Sequence, residues 1–339
     1  MAYRRPRVLL LGNGLNLAYN RKSVSWKRFL ESVSIPDFPD TVTLPLSLEV
    51  ILRTNNNVRA TMKEQSHTLY GDVGTEEFRE ALLEVLSLGF DEIITTNYSY
   101  ELETAALGLE KITDYRLKKI TRSTTGQTDR KYLLHTYNEV TYNGVVNRIW
   151  HIHGEARKHE SMIIDHYSYG ALLNRFVNFC RWRGKERGKD EPRMLEKESW
   201  LDVFMEADVY VMGQGFDFAE MDLWWLINRK GMEKKGRVFF YEPRSDRPYD
   251  AKIALMKAYG VTPIDFDVQM IEKPGHRASE SERALYREKK SILFGDFYKM
   301  AIEDMRKRLN PKRSHAKRVT KTLKGKNIWQ NQSDISMQK

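Results

Sequence analysis

Ala207-Asp208-Val209-Tyr210-Val211-Met212-Gly213-Gln214-Gly215 is the stretch on which the fold turns. It is an apolar, β-branched run closed by two glycines. Such a run is a buried strand, and the glycines let the chain turn sharply at its end. The rhythm then repeats: 220–230 reads as a helix, 237–242 as a strand, 251–259 as a helix, 262–266 as a strand and 279–309 as a closing helix. Strands alternating with helices predict a Rossmann-like α/β fold, a mostly parallel sheet with helices on both faces.

The first half of the chain carries the same signals. Residues 7–11 form a short Leu-rich run that stops at Gly12-Asn13-Gly14, a second strand and glycine turn. Residues 25–30 read as an amphipathic helix and 46–66 as helical. Thr75 caps a helix that carries Glu76 and Glu77 in its first turn and ends before Gly89. Residues 91–96 read as a strand and 98–107 as the helix after it. The segment 131–153 alternates like a hairpin, with Tyr142-Asn143-Gly144 as the turn and 146–153 as the returning strand. An aromatic helix over 161–185 and a charged loop over 185–197 make a helical insertion of about 155–200.

Composition narrows the class. The chain has 339 residues with 41% hydrophobic and 30% charged, enough apolar material for a large core. No apolar run is long enough to span a bilayer, and none resembles a signal peptide, so no membrane partner is expected. A single cysteine, Cys180, rules out an intramolecular disulfide and a cysteine zinc site, and suggests the cytoplasm. Residues 306–339 hold eleven Lys/Arg against one acid, Asp334, which equals the whole net charge of +10. That composition predicts a flexible basic tail after a folded body of residues 1–305. Nucleic acid is a partner class for the tail alone.

Several segments could carry chemistry. Each glycine turn follows a strand and precedes a helix, so its backbone N–H groups could face a phosphate, or it could be an ordinary tight turn. Glu242 ends the strand after the second turn, where an acid can bind ribose hydroxyls. Thr95-Thr96-Asn97-Tyr98 lies at a strand's carboxyl end; Asn97 either caps the next helix or orients a water or ribose hydroxyl. In Trp150-His151-Ile152-His153-Gly154-Glu155, a period of two places His151 and His153 on one face. They could be structural, metal-binding with His159, His166 or Asp165, or include a general base near neutrality; no known metal spacing is matched, and no metal is expected. Glu220 and Asp222 read as dipole compensation at the start of the helix that carries Trp224 and Trp225.

Taken in order, these segments resemble the SIR2-like family over about residues 5–305, closer to the bacterial NADases of antiphage defence than to sirtuin deacylases. The resemblance implies a catalytic pair, Asn97 and His153, the latter followed by glycine. It implies nucleotide contacts at Gly12, Asn13, Gly14, Asn16, Thr96, Gly213, Gly215 and Glu242. Asn13 stands where alanine is common, Asn16 where serine is, and Gly215 replaces a serine. Ser99 stands where the family commonly has an aspartate beside the nicotinamide. The four-cysteine zinc module of the deacylases cannot be built from Cys180.

The function this implies is NAD+ glycohydrolase, with NAD+ as substrate, releasing nicotinamide and ADP-ribose to deplete NAD+ during phage infection. An NAD-dependent deacylase or ADP-ribosyltransferase, and a non-catalytic NAD-binding subunit, are the alternatives. The resemblance further implies a homo-oligomer and a separate sensor or activator protein.

Overall fold

The computed structural model describes residues 4–20, 42–54, 57–113, 121–124, 132–187, 199–243, 250–268, 271–275 and 277–310. Its centre is an eight-stranded sheet in the order β3-β4-β5-β2-β1-β6-β7-β8. The strands are β1 (Arg7–Leu11), β2 (Glu92–Thr95), β3 (Thr121–Thr124), β4 (Thr136–Tyr142), β5 (Val145–His151), β6 (Asp208–Met212), β7 (Val238–Pro243) and β8 (Val261–Phe266). Each neighbouring pair from β5 across to β8 is parallel, and β3 and β4 add an antiparallel edge. The α/β, mostly parallel architecture is the one the alternation predicts.

The helices are α1 (Gly14–Tyr19), α2 (Leu44–Thr54), α3 (Asn57–Gln65), α4 (Glu76–Leu86), α5 (Glu101–Ala106), α6 (His166–Arg187), α7 (Trp200–Glu206), α8 (Met221–Glu233), α9 (Ala251–Ala258) and α10 (Glu280–Leu309). Two apolar cores form, one on each face. Leu9, Leu11, Ile93 and Ile149 pack with α1, α4, α5 and α10. Val8, Leu10, Ile94 and Trp150 pack with α6, α7, α8 and α9. Alternate side chains of a strand point to opposite faces, so β1 supplies both cores and is buried on both sides. From β1 the chain runs to β2 on one side, and later, through β6, to β7 and β8 on the other. The carboxyl ends of β1 and β6 therefore border a topological switch point, where such sheets hold ligands.

Local chemistry explains most boundaries. Thr75 accepts from Phe78 N and caps α4. Ser279 and Glu282 form a capping box that opens α10. Asn143 and Gly144 both have positive φ, the two-residue turn that suits the twist of a hairpin. Residues 98–100 do not join α5, which starts at Glu101, because they bond elsewhere: Tyr100 N donates to Tyr70 O, and Ala156 N to Tyr98 O. Residues 306–309 belong to α10 rather than to the tail. Leu309 is buried, and Arg7 Nη1 donates to its carbonyl at 2.6 Å. The expected helix at 25–30, most of the charged 185–197 loop and residues 311–339 of the tail lie outside the described residues.

Lys230 is a buried lysine in this frame, and burial pushes its pKa down to about 7. Its ammonium donates to Phe204 O at 2.8 Å, Met205 O at 3.0 Å and Lys235 O at 2.7 Å. It thus satisfies the last carbonyls of α7 and ties the end of α8 to the end of α7. Lys230→Met should cost about 3 kcal/mol in urea unfolding, because buried carbonyls lose their donor. Arg53→Met, which breaks the i,i+4 pair of an exposed Arg53 with Glu49, should stay within about 0.5 kcal/mol of wild type.

Candidate active site

The glycine turns after β1 and β6 pack directly on each other. Gly12 N donates to Met212 O at 2.9 Å, and Gly14 N to Gly213 O at 2.8 Å. A Cβ on Gly12 would collide with Gly213 O and Gln214, and one on Gly14 with the Tyr298 hydroxyl. These glycines are needed for close approach of two loops. Their N–H groups are already bonded within the protein, so they are not phosphate donors as read from sequence. The N–H groups of Leu15 and Asn16, in the first turn of α1, are the ones a helix leaves without an intrahelical acceptor. Asn16 is buried and donates through Nδ2 to Asn13 Oδ1 at 2.9 Å. Gly215 meets nothing that a Cβ would touch, so close packing does not demand glycine there.

From this junction a polar chain runs across the carboxyl edge of the sheet. Thr96 Oγ1 donates to Gln214 Oε1 at 2.8 Å, and Gln214 Nε2 donates to both Glu220 oxygens, at 2.8 and 2.9 Å. Burial pushes the Glu220 carboxyl up to about 7, against the pull of His153. Glu242 ends β7, where its Oε1 pairs with Lys252 Nζ and its Oε2 is buried without a partner. Lys252 Nζ also reaches Gly215 O at 3.4 Å.

Asn97 follows β2 and does not cap α5; the cap position is Tyr100. Its backbone is held at both ends. Asn97 N donates to Thr95 Oγ1 at 3.0 Å, and its carbonyl faces His151 Nδ1 at 2.8 Å. Its side chain is held loosely, with Nδ2 to Gly12 O at 3.5 Å and Oδ1 buried without any hydrogen-bond partner. An unpaired buried amide oxygen costs about 1–3 kcal/mol, so its presence beside the switch point marks a place for a donor from water or a ligand.

His151 and His153 face opposite sides of the sheet, contrary to the period-two reading. The strand ends at His151, and Gly154 N bonds back to His151 O at 3.1 Å, closing a turn that breaks the alternation. His151 points toward α5 and Glu103. His153 points toward α8, where Nε2 lies 2.7 Å from Asp222 Oδ2 and Tyr169 packs edge-on against the ring. Gly154 follows at φ +90°, and a Cβ there would strike the Ser161 carbonyl. That is the physical reason for a glycine after the histidine.

The His153–Asp222 pair is buried, with 3% and 0% of the side chains exposed. Burial alone disfavours the imidazolium, but the Asp222 charge, its hydrogen bond and Glu220 outweigh it, so the His153 pKa is raised. Asp222 Oδ1 is a second buried oxygen without a partner. The segments of Asn97 and His153 are cross-tied through Ile163: the Tyr98 phenol donates to its carbonyl, and its N–H donates to His153 O, both at 2.8 Å. Among the described residues, no group of three His, Cys, Asp or Glu is placed to hold a metal, and no helix is long and apolar enough to cross a membrane.

Sequence reasoning missed Gln214 and Tyr169, and assigned Glu220 and Asp222 only to the helix dipole. The signal for Asp222 was present. It shares the buried stripe of α8 with Leu223, Leu226, Ile227 and Lys230, and an acid on an apolar stripe needs a partner. No protein-family model matches the chain, and no curated protein matches it.

Gly154→Ala should lower stability by about 2–4 kcal/mol, from the positive φ and the collision with Ser161. Urea unfolding should show the midpoint falling with its slope unchanged.

Proposed function

We propose that this chain is an NAD+ glycohydrolase of the SIR2-like kind, cleaving NAD+ to nicotinamide and ADP-ribose. The observation that carries this reading is the buried, unpartnered Asn97 Oδ1 at the carboxyl edge of a parallel sheet, in a segment tied through Ile163 to that of a histidine set by a buried aspartate. With Nε2 engaged by Asp222, Nδ1 is the basic nitrogen of His153. The glycosidic bond from ribose C1′ to nicotinamide breaks, the electron pair leaves with nicotinamide, and positive charge develops on the sugar. Asn97 Oδ1 would orient the attacking water or a ribose hydroxyl, and His153 Nδ1 would take the proton released. Tyr169 and the paired loops would limit bulk water at this edge. Roles in phage defence, homo-oligomer formation and a separate sensor follow from the resemblance alone, tail contact with nucleic acid from the basic composition of the tail, and the cytoplasm from the lone cysteine.

Purified protein incubated with NAD+ alone should release nicotinamide and ADP-ribose, resolved by chromatography. A requirement for an acylated peptide would favour the deacylase alternative, and bound but unaltered NAD+ a silent subunit. Asn97→Ala and His153→Ala should each lower kcat by about a hundredfold or more while the protein stays folded.

The pH dependence has opposite signs for stability and for activity. The His153 pKa is raised above the ordinary value of about 6.5, so the pair with Asp222 stabilises the fold below that value and is lost as the pH rises through the raised pKa. A proton acceptor must be neutral, so kcat should climb with pH over that same range. Asp222→Asn should move the climb to lower pH and reduce the plateau.

A further inference from the structure

On the opposite face of the same strand end lies a second histidine pair that the proposed reaction does not use. His151 Nδ1 is 2.8 Å from Asn97 O, and Nε2 is 2.9 Å from Glu103 Oε1. A carbonyl oxygen only accepts, so Nδ1 carries a proton. Glu103 Oε1 already accepts from Asn138 Nδ2 at 2.9 Å. Glu103 as a carboxylate accepts from both Asn138 and the ring, and the raised ring pKa keeps the second proton on Nε2. His151, Glu103 and Asn138 are all buried, and the Tyr100 ring lies 5.3 Å away, tilted against the imidazole.

The surroundings agree. The titratable groups that bear on the ring are Glu101 and Glu103 on α5, Glu155 beyond the turn, and the Tyr100 phenol. Burial opposes the charged ring, yet Glu103, Glu155 and the Asn97 carbonyl together raise its pKa. Glu101 accepts from Ser99 Oγ through Oε2, and burial pushes its carboxyl up to about 7 against the pull of Ser99 and His151.

We propose that His151 is a positioning residue, a doubly protonated ring clamped between Glu103 and the Asn97 carbonyl, which fixes the Asn97 backbone so that its side-chain amide is free for substrate. This rests on the reading of Asn97 as the catalytic amide. It explains how a side chain with one long hydrogen bond and one unpaired oxygen keeps its place: Thr95 holds the nitrogen end of the residue and His151 the carbonyl end. The clamp is complete below the raised pKa; above it the ring keeps the Nδ1 proton toward Asn97 but loses the Nε2 bond to Glu103 that holds the ring in place. It therefore imposes an alkaline decline on activity, opposite in sign to the climb set by His153.

The test has one arm that needs no turnover. In protein labelled with 15N-histidine, the His151 ring, assigned by its loss in His151→Asn, should show two N–H signals at a pH equal to the ordinary imidazole pKa of about 6.5. A neutral ring overturns the proposal. In kinetics, His151→Leu should lower kcat about 30-fold, with KM for NAD+ within about threefold. His151→Asn, which keeps a donor toward the Asn97 carbonyl but cannot titrate, should recover most of kcat and lose the alkaline decline. A folded His151→Leu protein with wild-type kcat overturns the positioning role. If the wild type hydrolyses no NAD+, the glycohydrolase reading fails, and the clamp is judged by the Asn97 side-chain amide signal. That signal should be sharp in wild type and shifted or broadened in His151→Leu; an unchanged signal overturns it.

Discussion

Two backbone hydrogen bonds, from Gly12 N to Met212 O and from Gly14 N to Gly213 O, join the loops at the carboxyl ends of β1 and β6. A parallel sheet normally leaves a crevice where its strand order reverses. Here the mouth of that crevice is narrowed until backbone touches backbone, which only glycine permits. The closeness puts Gln214 within reach of Thr96 on one side and Glu220 on the other. It also sets the Gly12 carbonyl against the Asn97 amide. The chain from Thr96 through Gln214 to Glu220 is thus placed by the contact between two loops that are about 200 residues apart in the chain.

The same edge carries two buried histidine–carboxylate pairs, back to back. Removing one partner from such a pair strands a charge and costs about 3–5 kcal/mol, whereas the intact pair adds little net stability. Pairs of this kind do more for geometry than for folding energy. His153 with Asp222 faces α8, and His151 with Glu103 faces α5. The turn closed by Gly154 N on His151 O separates them. One strand end therefore delivers two imidazoles into two different cores, and the Asn97 carbonyl meets the first of them.

Local signals were legible where one residue's chemistry settles a boundary. Thr75 caps α4, Asn143-Gly144 makes the hairpin turn, and Ser279 with Glu282 opens α10. These depend on neighbours a few residues away. The cap, one of two readings open for Asn97, fails because Tyr100 N donates to Tyr70 O and Tyr98 O accepts from Ala156 N, which sequence spacing does not reveal. The acid on the α8 stripe was visible, but its partner was not.

Sequence alone determined the alternation of strands and helices, and with it the parallel sheet and the edge on which Thr96, Asn97 and the glycine turns gather. Hydrophobic period and turn chemistry are local, so they survive without coordinates. Tertiary structure decided which histidine meets which acid, which N–H groups are already bonded, and that the Asn97 oxygen is left unpaired. Those depend on where a strand stops and how far each side chain reaches across a loop. A stop one residue earlier or later reverses the face that a side chain presents, and only the hydrogen bonds of distant segments determine where that stop falls.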